Sequence, residues 1–154
     1  NMLDYQKAIS DAEEKCTNSG IRFTKRRKQV LSVLLKADAA LSAYEIAEQC
    51  NVDSDTKMPA MSVYRILDLL QEQNLIHRLE IANKYVSCSH ISCSHKHDNS
   101  QFLICGSCRH VEEIYLSHDA VDALQTAASA AGFSAISSQL EITGWCAQCQ
   151  QSQE

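Results

Sequence analysis

No stretch of this chain holds the roughly 20 consecutive apolar residues that a membrane helix needs, so neither a span nor a membrane partner is expected. The chain does not open with a charged segment followed by an apolar one, and no secretory signal is expected. Asn1 stands before Met2 and reads as a residue added ahead of the natural start, so the domain reading begins at residue 2. There is no Ser/His/Asp order, no phosphate loop and no acid pair set for catalysis, so no motif speaks for an enzyme. Positive charge is not in excess either. The net charge of −5 does not advertise a nucleic-acid binder.

What is present is the composition of a folded chain, 45% hydrophobic and 21% charged, too apolar for disorder. Its 154 residues suffice for one ordinary domain or two small ones. A cytoplasmic location is expected, and there the eight cysteines gain meaning. A reducing compartment disfavours a disulfide framework, so close cysteine pairs point to metal or redox chemistry. Four of the six histidines fall between positions 77 and 97.

Charge is unevenly spread. Residues 1–80 hold 11 Lys and Arg against 12 Asp and Glu, whereas residues 81–154 hold 3 against 7. Arg22, Lys25, Arg26, Arg27 and Lys28 fall within seven positions. A near-neutral half with such a cluster can still meet phosphates, because binding follows the local field.

Helical spacing of apolar residues predicts a first helix over Leu3–Cys16, broken by Gly20. Thr24 is a cap for a second helix carrying Val30, Leu31, Leu34 and Leu35. Ser42 and Glu45 form a capping box for a third with Ile46 and Ala47. Pro59 suits the first turn of a fourth, with Val63, Ile66, Leu67 and Leu70 as its apolar stripe. Extended stretches at Leu75–Leu79 and Lys84–Val86 follow, joined by Ala82-Asn83. Three helices and a hairpin are the order of a winged helix-turn-helix, whose helix from Pro59 would enter the major groove. It offers Ser62, Tyr64 and Arg65 for phosphates and base edges. A plain protein-binding bundle has the same helical pattern.

The second half predicts strands at Phe102–Ile104 and His110–Leu116 and a helix capped by Ser117 and ended by Gly132. That helix carries Val121, Leu124, Ala127 and Ala128 on one side, and Ile136, Leu140 and Ile142 alternate as in a half-buried strand. The fold class is therefore α+β: a winged helix-turn-helix over residues 2–87, then a small α/β domain over 88–154.

Two CxxC pairs bracket that second domain: Cys105 with Cys108, and Cys146 with Cys149. Four thiolates from two such pairs are the donor set of a structural zinc. The 37-residue gap exceeds a zinc-ribbon spacing of roughly 15–20, because a helix and a strand intervene. A thioredoxin-like redox motif needs a single CxxC after a strand, which fits two bracketing pairs poorly. A second, less regular donor set gathers His77, Cys88, the histidines at 90, 95 and 97, and Glu112-Glu113. Thiolate, imidazole and carboxylate together suit zinc better than manganese or magnesium. Residue by residue, ordinary packing or surface roles explain these positions as well.

The sequence resembles the ferric uptake regulator family, and within it the zinc uptake regulators. The resemblance is carried by Arg22-Phe-Thr24 through Arg27, Ser42-Ala-Tyr44, Ser62-Val-Tyr64-Arg65-Ile-Leu-Asp68, Leu75-Ile-His77, Tyr85-Val-Ser-Cys88 and both CxxC pairs. It covers nearly the whole chain. It implies a homodimer, joined through the C-terminal α/β dimerisation domain, that represses genes by gripping a double-stranded, AT-rich palindromic operator when loaded with metal. The metal ion is then the only small ligand. Carried over by position, Cys105, Cys108, Cys146 and Cys149 match the structural zinc ligands. His77, Cys88 and Glu113 match three of four ligands of the sensing zinc, giving at least two zinc ions per chain. Glu113 is preferred to Glu112 because the family places the carboxylate eight residues after the first cysteine of the first pair. The fourth ligand departs from the pattern: Asp98 stands where a histidine is expected, so His97 is assigned, with His95 or His90 as alternates. DNA contacts are implied for Arg22, Thr24, Arg27, Tyr44, Ser62, Tyr64 and Arg65. Lys25 and Arg26 replace residues that are commonly Pro and Gln in the family. A regulator of the same family answering to iron, manganese or peroxide is the alternative, and a thiol oxidoreductase is the competing class.

Overall fold

In a computed structural model the chain divides into two compact units, Asn1–Ser94 and His95–Glu154. The structure describes residues 2–37, 39–52, 57–80, 82–89, 91, 100–134 and 139–152.

The first unit begins with α1 (Met2–Asn18), longer than its apolar spacing predicts, and Gly20 follows it at φ 73°. Glycine takes that left-handed conformation without steric cost. In α2 (Lys25–Lys36) Thr24 is the N-cap, accepting from the Arg27 N–H. α3 (Ala43–Asn51) opens with the full capping box: Ser42 Oγ accepts from Glu45 N–H at 3.2 Å, and Glu45 accepts from Ser42 N–H at 3.1 Å. α4 (Ala60–Glu72) starts one residue later than expected. Pro59 is its N-cap, with ψ 152° and a carbonyl that accepts from Ser62 and Val63. The ring fixes only φ, here −63°, so proline serves either position and the extended ψ decides.

β1 (Ile76–Leu79) and β2 (Lys84–Ser87) pair antiparallel, His77 opposite Val86, around Asn83 at φ 50°. Leu41 and Tyr85 exchange both backbone bonds, at 3.0 and 2.8 Å, which ties the hairpin to the chain ahead of α3. A single hydrophobic cluster joins these elements through Ile9, Ala12, Leu31, Ile46, Leu67, Leu70 and Ile76, and every member of it belongs to this unit. Each such leucine or isoleucine side chain contributes roughly 1.5–3 kcal/mol on burial.

The second unit is a three-stranded sheet. β3 (Ser100–Cys105) lies between β4 (Val111–Tyr115), antiparallel, and β5 (Glu141–Gly144), parallel. Helix α5 (His118–Ala130) is capped by Ser117 and followed by Gly132 at φ 83°. A short α6 (Ala147–Gln150) closes the described chain after Cys146, an element that sequence spacing did not indicate. On the predicted apolar side of α5, Val121 is buried but Leu124 is 39% exposed. The half-buried alternation expected around β5 is not seen within one chain: Leu140, Ile142 and Thr143 are exposed, and only Glu141 is half-buried. Period-two patterning orders residues into faces without saying what covers either. Ile136 lies outside the described residues. Among those described, no helix is long and apolar enough to cross a membrane.

Candidate metal centre and nucleic-acid interface

Cys105 ends β3, Cys108 sits in the following turn, Cys146 precedes α6 and Cys149 lies within it. Parallel pairing carries the two cysteine-bearing ends to one place, with Cys105 in register with Gly144. All four Sγ atoms lie within 4.8 Å of one another. Cys108 Sγ and Cys146 Sγ are 3.7 Å apart. A tetrahedral zinc with bonds of about 2.3 Å has sulfur–sulfur edges of about 3.8 Å, so the spacing fits zinc.

Backbone donors complete the fit. The Cys146 N–H donates to Cys105 Sγ at 3.4 Å. That bond, with further backbone N–H donors at Cys108 and Ser107, lowers the Cys105 thiol to about 6. Cys149 is pushed up to about 11, chiefly because its thiol is hydrogen-bonded to the Cys146 sulfur. The pair is therefore asymmetric: the Cys105 sulfur is ready to ionise, whereas Cys149 resists adding a second negative charge to the site. A bound dication removes that resistance, which is why metal uptake by such a site releases protons.

The second donor set divides between the units. In the first, His77 of β1 and Cys88, just past β2, bring an imidazole nitrogen and a thiol sulfur within 4.8 Å. Cys88 is buried, and its N–H donates to the Leu75 carbonyl at 2.9 Å. In the second, Glu113 of β4 accepts from Ser100 Oγ at 2.9 Å and Tyr115 OH at 3.3 Å. The adjacent Glu112 points to the opposite strand face, where an oxygen lies 2.8 Å from His110 Nε2. Ser100 and Tyr115 were not singled out by sequence; only the strand register reveals that they hold the Glu113 carboxylate. His97, His95 and His90 lie outside the described residues.

The residues expected at DNA are spread over α2, α3 and α4. Tyr44 is 68% exposed at the start of α3 and meets Tyr64 of α4 edge to face, with ring centroids 6.3 Å apart. Ser62 is half-buried, and Arg65, one turn on from Met61, is exposed. Thr24 is occupied as a cap, and the half-buried Arg27 donates to the Arg22 carbonyl. These two therefore also brace the entrance to α2, where Lys25, Arg26 and Lys28 stay exposed.

The sequence model of the ferric uptake regulator family matches residues 18–143. The chain belongs to the ferric uptake regulator family. It is 32% identical over 144 residues to the zinc uptake regulation protein of Escherichia coli strain K12, spanning 94% of this chain and 82% of that protein. Among solved structures it is similar to a zinc uptake regulator complexed with zinc and DNA, with a TM-score of 0.84, 29% identity and 97% of each chain covered. It is similar also to holo XcZur, with a TM-score of 0.76, 32% identity, and 93% and 96% of the two chains covered. Members of this ferric uptake regulator family are transcription regulators, so the chain is a regulator and not an oxidoreductase built on its CxxC pairs.

Proposed function

We propose that this chain is a zinc-responsive transcriptional repressor that binds operator DNA as a metal-loaded homodimer and controls genes of zinc uptake in the cytoplasm. The observation that carries zinc, rather than another signal, is the buried Cys88 thiol beside His77. A soft sulfur donor favours zinc over iron(II) or manganese, which prefer imidazole and carboxylate oxygen. The proposed sensing ligands are His77, Cys88, His97 and Glu113, with His95 or His90 as alternates for His97. With the one structural ion held by Cys105, Cys108, Cys146 and Cys149, each chain would hold at least two zinc ions. When bound, the structural zinc supplies positive charge that keeps four thiolates together and links the ends of the second unit's fold.

Homodimerisation is supported by an apolar sheet face left open in the second unit. Leu103 and Ile142 are register partners on β3 and β5, and they are 37% and 53% exposed. Beside them a cavity of about 300 Å³ is lined by Trp145, among others. A second copy of the same face is the natural cover, because a two-fold interface uses one patch twice. DNA recognition is assigned to Ser62, Tyr64 and Arg65 on α4 and to Tyr44 beside them, with Arg22, Thr24 and Arg27 at the entrance of α2 near phosphates.

The test is a zinc titration of operator binding, with iron(II) and manganese as controls, on a duplex enriched from a random library by the zinc-loaded protein. Zinc alone is expected to drive tight binding, and Cys88→Ser to abolish the response. A regulator of the same family answering to iron, manganese or peroxide would keep its response in Cys88→Ser. Equal affinity with and without sensing metal would end the repressor reading, since a ligand that binds both conformers alike shifts neither.

A further inference from the structure

The helices of this protein do not start alike. Thr24, Ser42 and Ser117 each cap their helix with a side-chain oxygen. Helix α4, assigned above to DNA, follows Pro59 and has no side-chain cap. Its entry is fixed from elsewhere. Asn51, the last residue of α3, turns its amide onto the backbone of Met58: Oδ1 accepts from Met58 N–H at 2.6 Å, and Nδ2 donates to the Met58 carbonyl at 3.1 Å. A side-chain amide engaging both backbone groups of one residue copies the pairing of two strands. Met58 suits that role, because a residue before proline favours extended backbone and its side chain here is buried in the core. The same α3 terminus is held on its other side by Gln29 of α2, whose Nε2 donates to the Cys50 carbonyl at 2.9 Å.

We propose that Asn51 is a positioning residue for DNA recognition, its amide clamp on Met58 setting where α4 begins and how its exposed face is aimed. Base contacts need groups placed to within a fraction of an ångström, whereas phosphate contacts tolerate more. Loss of the clamp therefore costs discrimination between sequences more than it costs overall affinity. A staple that only adds stability would lower both affinities together as folded protein is lost.

The inference rests on α4 being the DNA-reading helix, and the experiment separates the two. Zinc-loaded full-length protein is measured on the enriched duplex and on a shuffled duplex of equal length, at one salt concentration, alongside thermal midpoint and zinc content. Asn51→Ala is expected to lower the ratio of specific to non-specific affinity by roughly tenfold, the size of one good base contact, with shuffled-duplex binding and zinc content unchanged. Asn51→Asp keeps the acceptor for Met58 N–H and is expected to fall between; its added charge affects both duplexes and leaves the ratio readable, so it carries the test if Asn51→Ala does not fold. Gln29→Ala removes a neighbouring bond without touching Met58, and is expected to lower the midpoint while keeping the ratio. An unchanged ratio in the Asn51 variants, or an equal fall in Gln29→Ala, overturns the inference. Arg65→Ala reports on the underlying reading. If it abolishes discrimination while the Asn51 variants do not, only the clamp is lost; if it leaves discrimination intact, α4 is not the reading helix.

Discussion

The two units reach stability by different routes. In Asn1–Ser94 the helices and the hairpin close on an aliphatic centre in which Val30, Leu31, Ile46, Val63, Leu67 and Leu70 are essentially inaccessible to water. In His95–Glu154 the buried residues described are few, Ser100, Gln101, Phe102, Cys105 and Val121, while Leu103, Tyr115, Leu124, Phe133, Leu140, Ile142 and Trp145 are exposed. A chain segment of that size buries too little apolar surface to be secure alone, and small domains of this kind rely on metal or oligomerisation. The four gathered thiols and the open sheet face are where the proposed zinc ion and second copy would act. The first unit has its core within one chain; under the proposed function the second would be completed by a zinc ion and a second copy.

The largest expected effect follows from removing the ion. Chelation, or Cys146→Ser, should abolish hydrogen-exchange protection over β5 and α6 while α2 and α4 keep theirs, since structural zinc contributes folding free energy directly. Segment-resolved exchange by mass spectrometry measures this. Retained protection across β5 after verified zinc loss would show that the second unit carries its own stability. Next in size is the open face. Ile142→Asp should turn a dimer into a folded monomer by analytical ultracentrifugation and weaken operator binding by about a hundredfold or more, as two half-sites stop being held together. Because Ile142 is 53% exposed within one chain, the variant should keep its zinc. An unchanged dimer would move the interface off this face.

A pair of leucines tests the contrast on a smaller scale. Leu67→Ala empties a fully buried site in the first unit and is expected to cost about 2–5 kcal/mol in denaturant unfolding. Leu124→Ala, at a site 39% exposed on α5, should cost under about 1 kcal/mol in the monomeric Ile142→Asp background. Comparable losses at the two sites would mean that α5 is packed as tightly as α4, and the distinction drawn between the units would fail.

Local chemistry was legible in the sequence where cause and effect lie a few residues apart. Thr24, Ser42 with Glu45, and Ser117 are caps as their spacing implies, and Gly20 and Gly132 take left-handed backbone just past helix ends. The CxxC spacing likewise marks each pair of thiols as near neighbours, while the meeting of the two pairs depends on the parallel pairing of β3 with β5. Patterning failed where a partner is distant. Nothing periodic marks Asn51 as the residue that grips Met58, or Leu41 as the partner of Tyr85. Nor could alternation in β5 tell that Ile142 faces outward, since period-two patterning sorts residues into faces without saying which is covered. Pro59 was placed one residue too far inside its helix because φ alone does not separate an N-cap from a first turn.

The smallest effect concerns the capping box, and it belongs wholly to the first unit. Hydrogen bonding from the Ser42 N–H holds the Glu45 carboxyl below its usual range; burial opposes this, and the Lys84 ammonium 3.5 Å away assists. A carboxyl whose pKa is lower folded than unfolded adds stability above the unfolded value, and that stability is lost as pH falls through the folded one. The first unit should therefore lose a small increment on acidification from about pH 5 downward. Glu45→Gln keeps an acceptor for Ser42 N–H but removes the charge, so this increment should vanish from its pH profile. Ser42→Ala should lower stability by about 1 kcal/mol at neutral pH. The Glu45–Lys84 pair is nearly half solvent-exposed on the glutamate side, so Lys84→Met should move stability by less than either. Zinc content and dimerisation should be indifferent to all three substitutions. A capping variant that released zinc from the four-cysteine site of the second unit would show the two units to be coupled in folding, which is the sharpest way their separateness could fail.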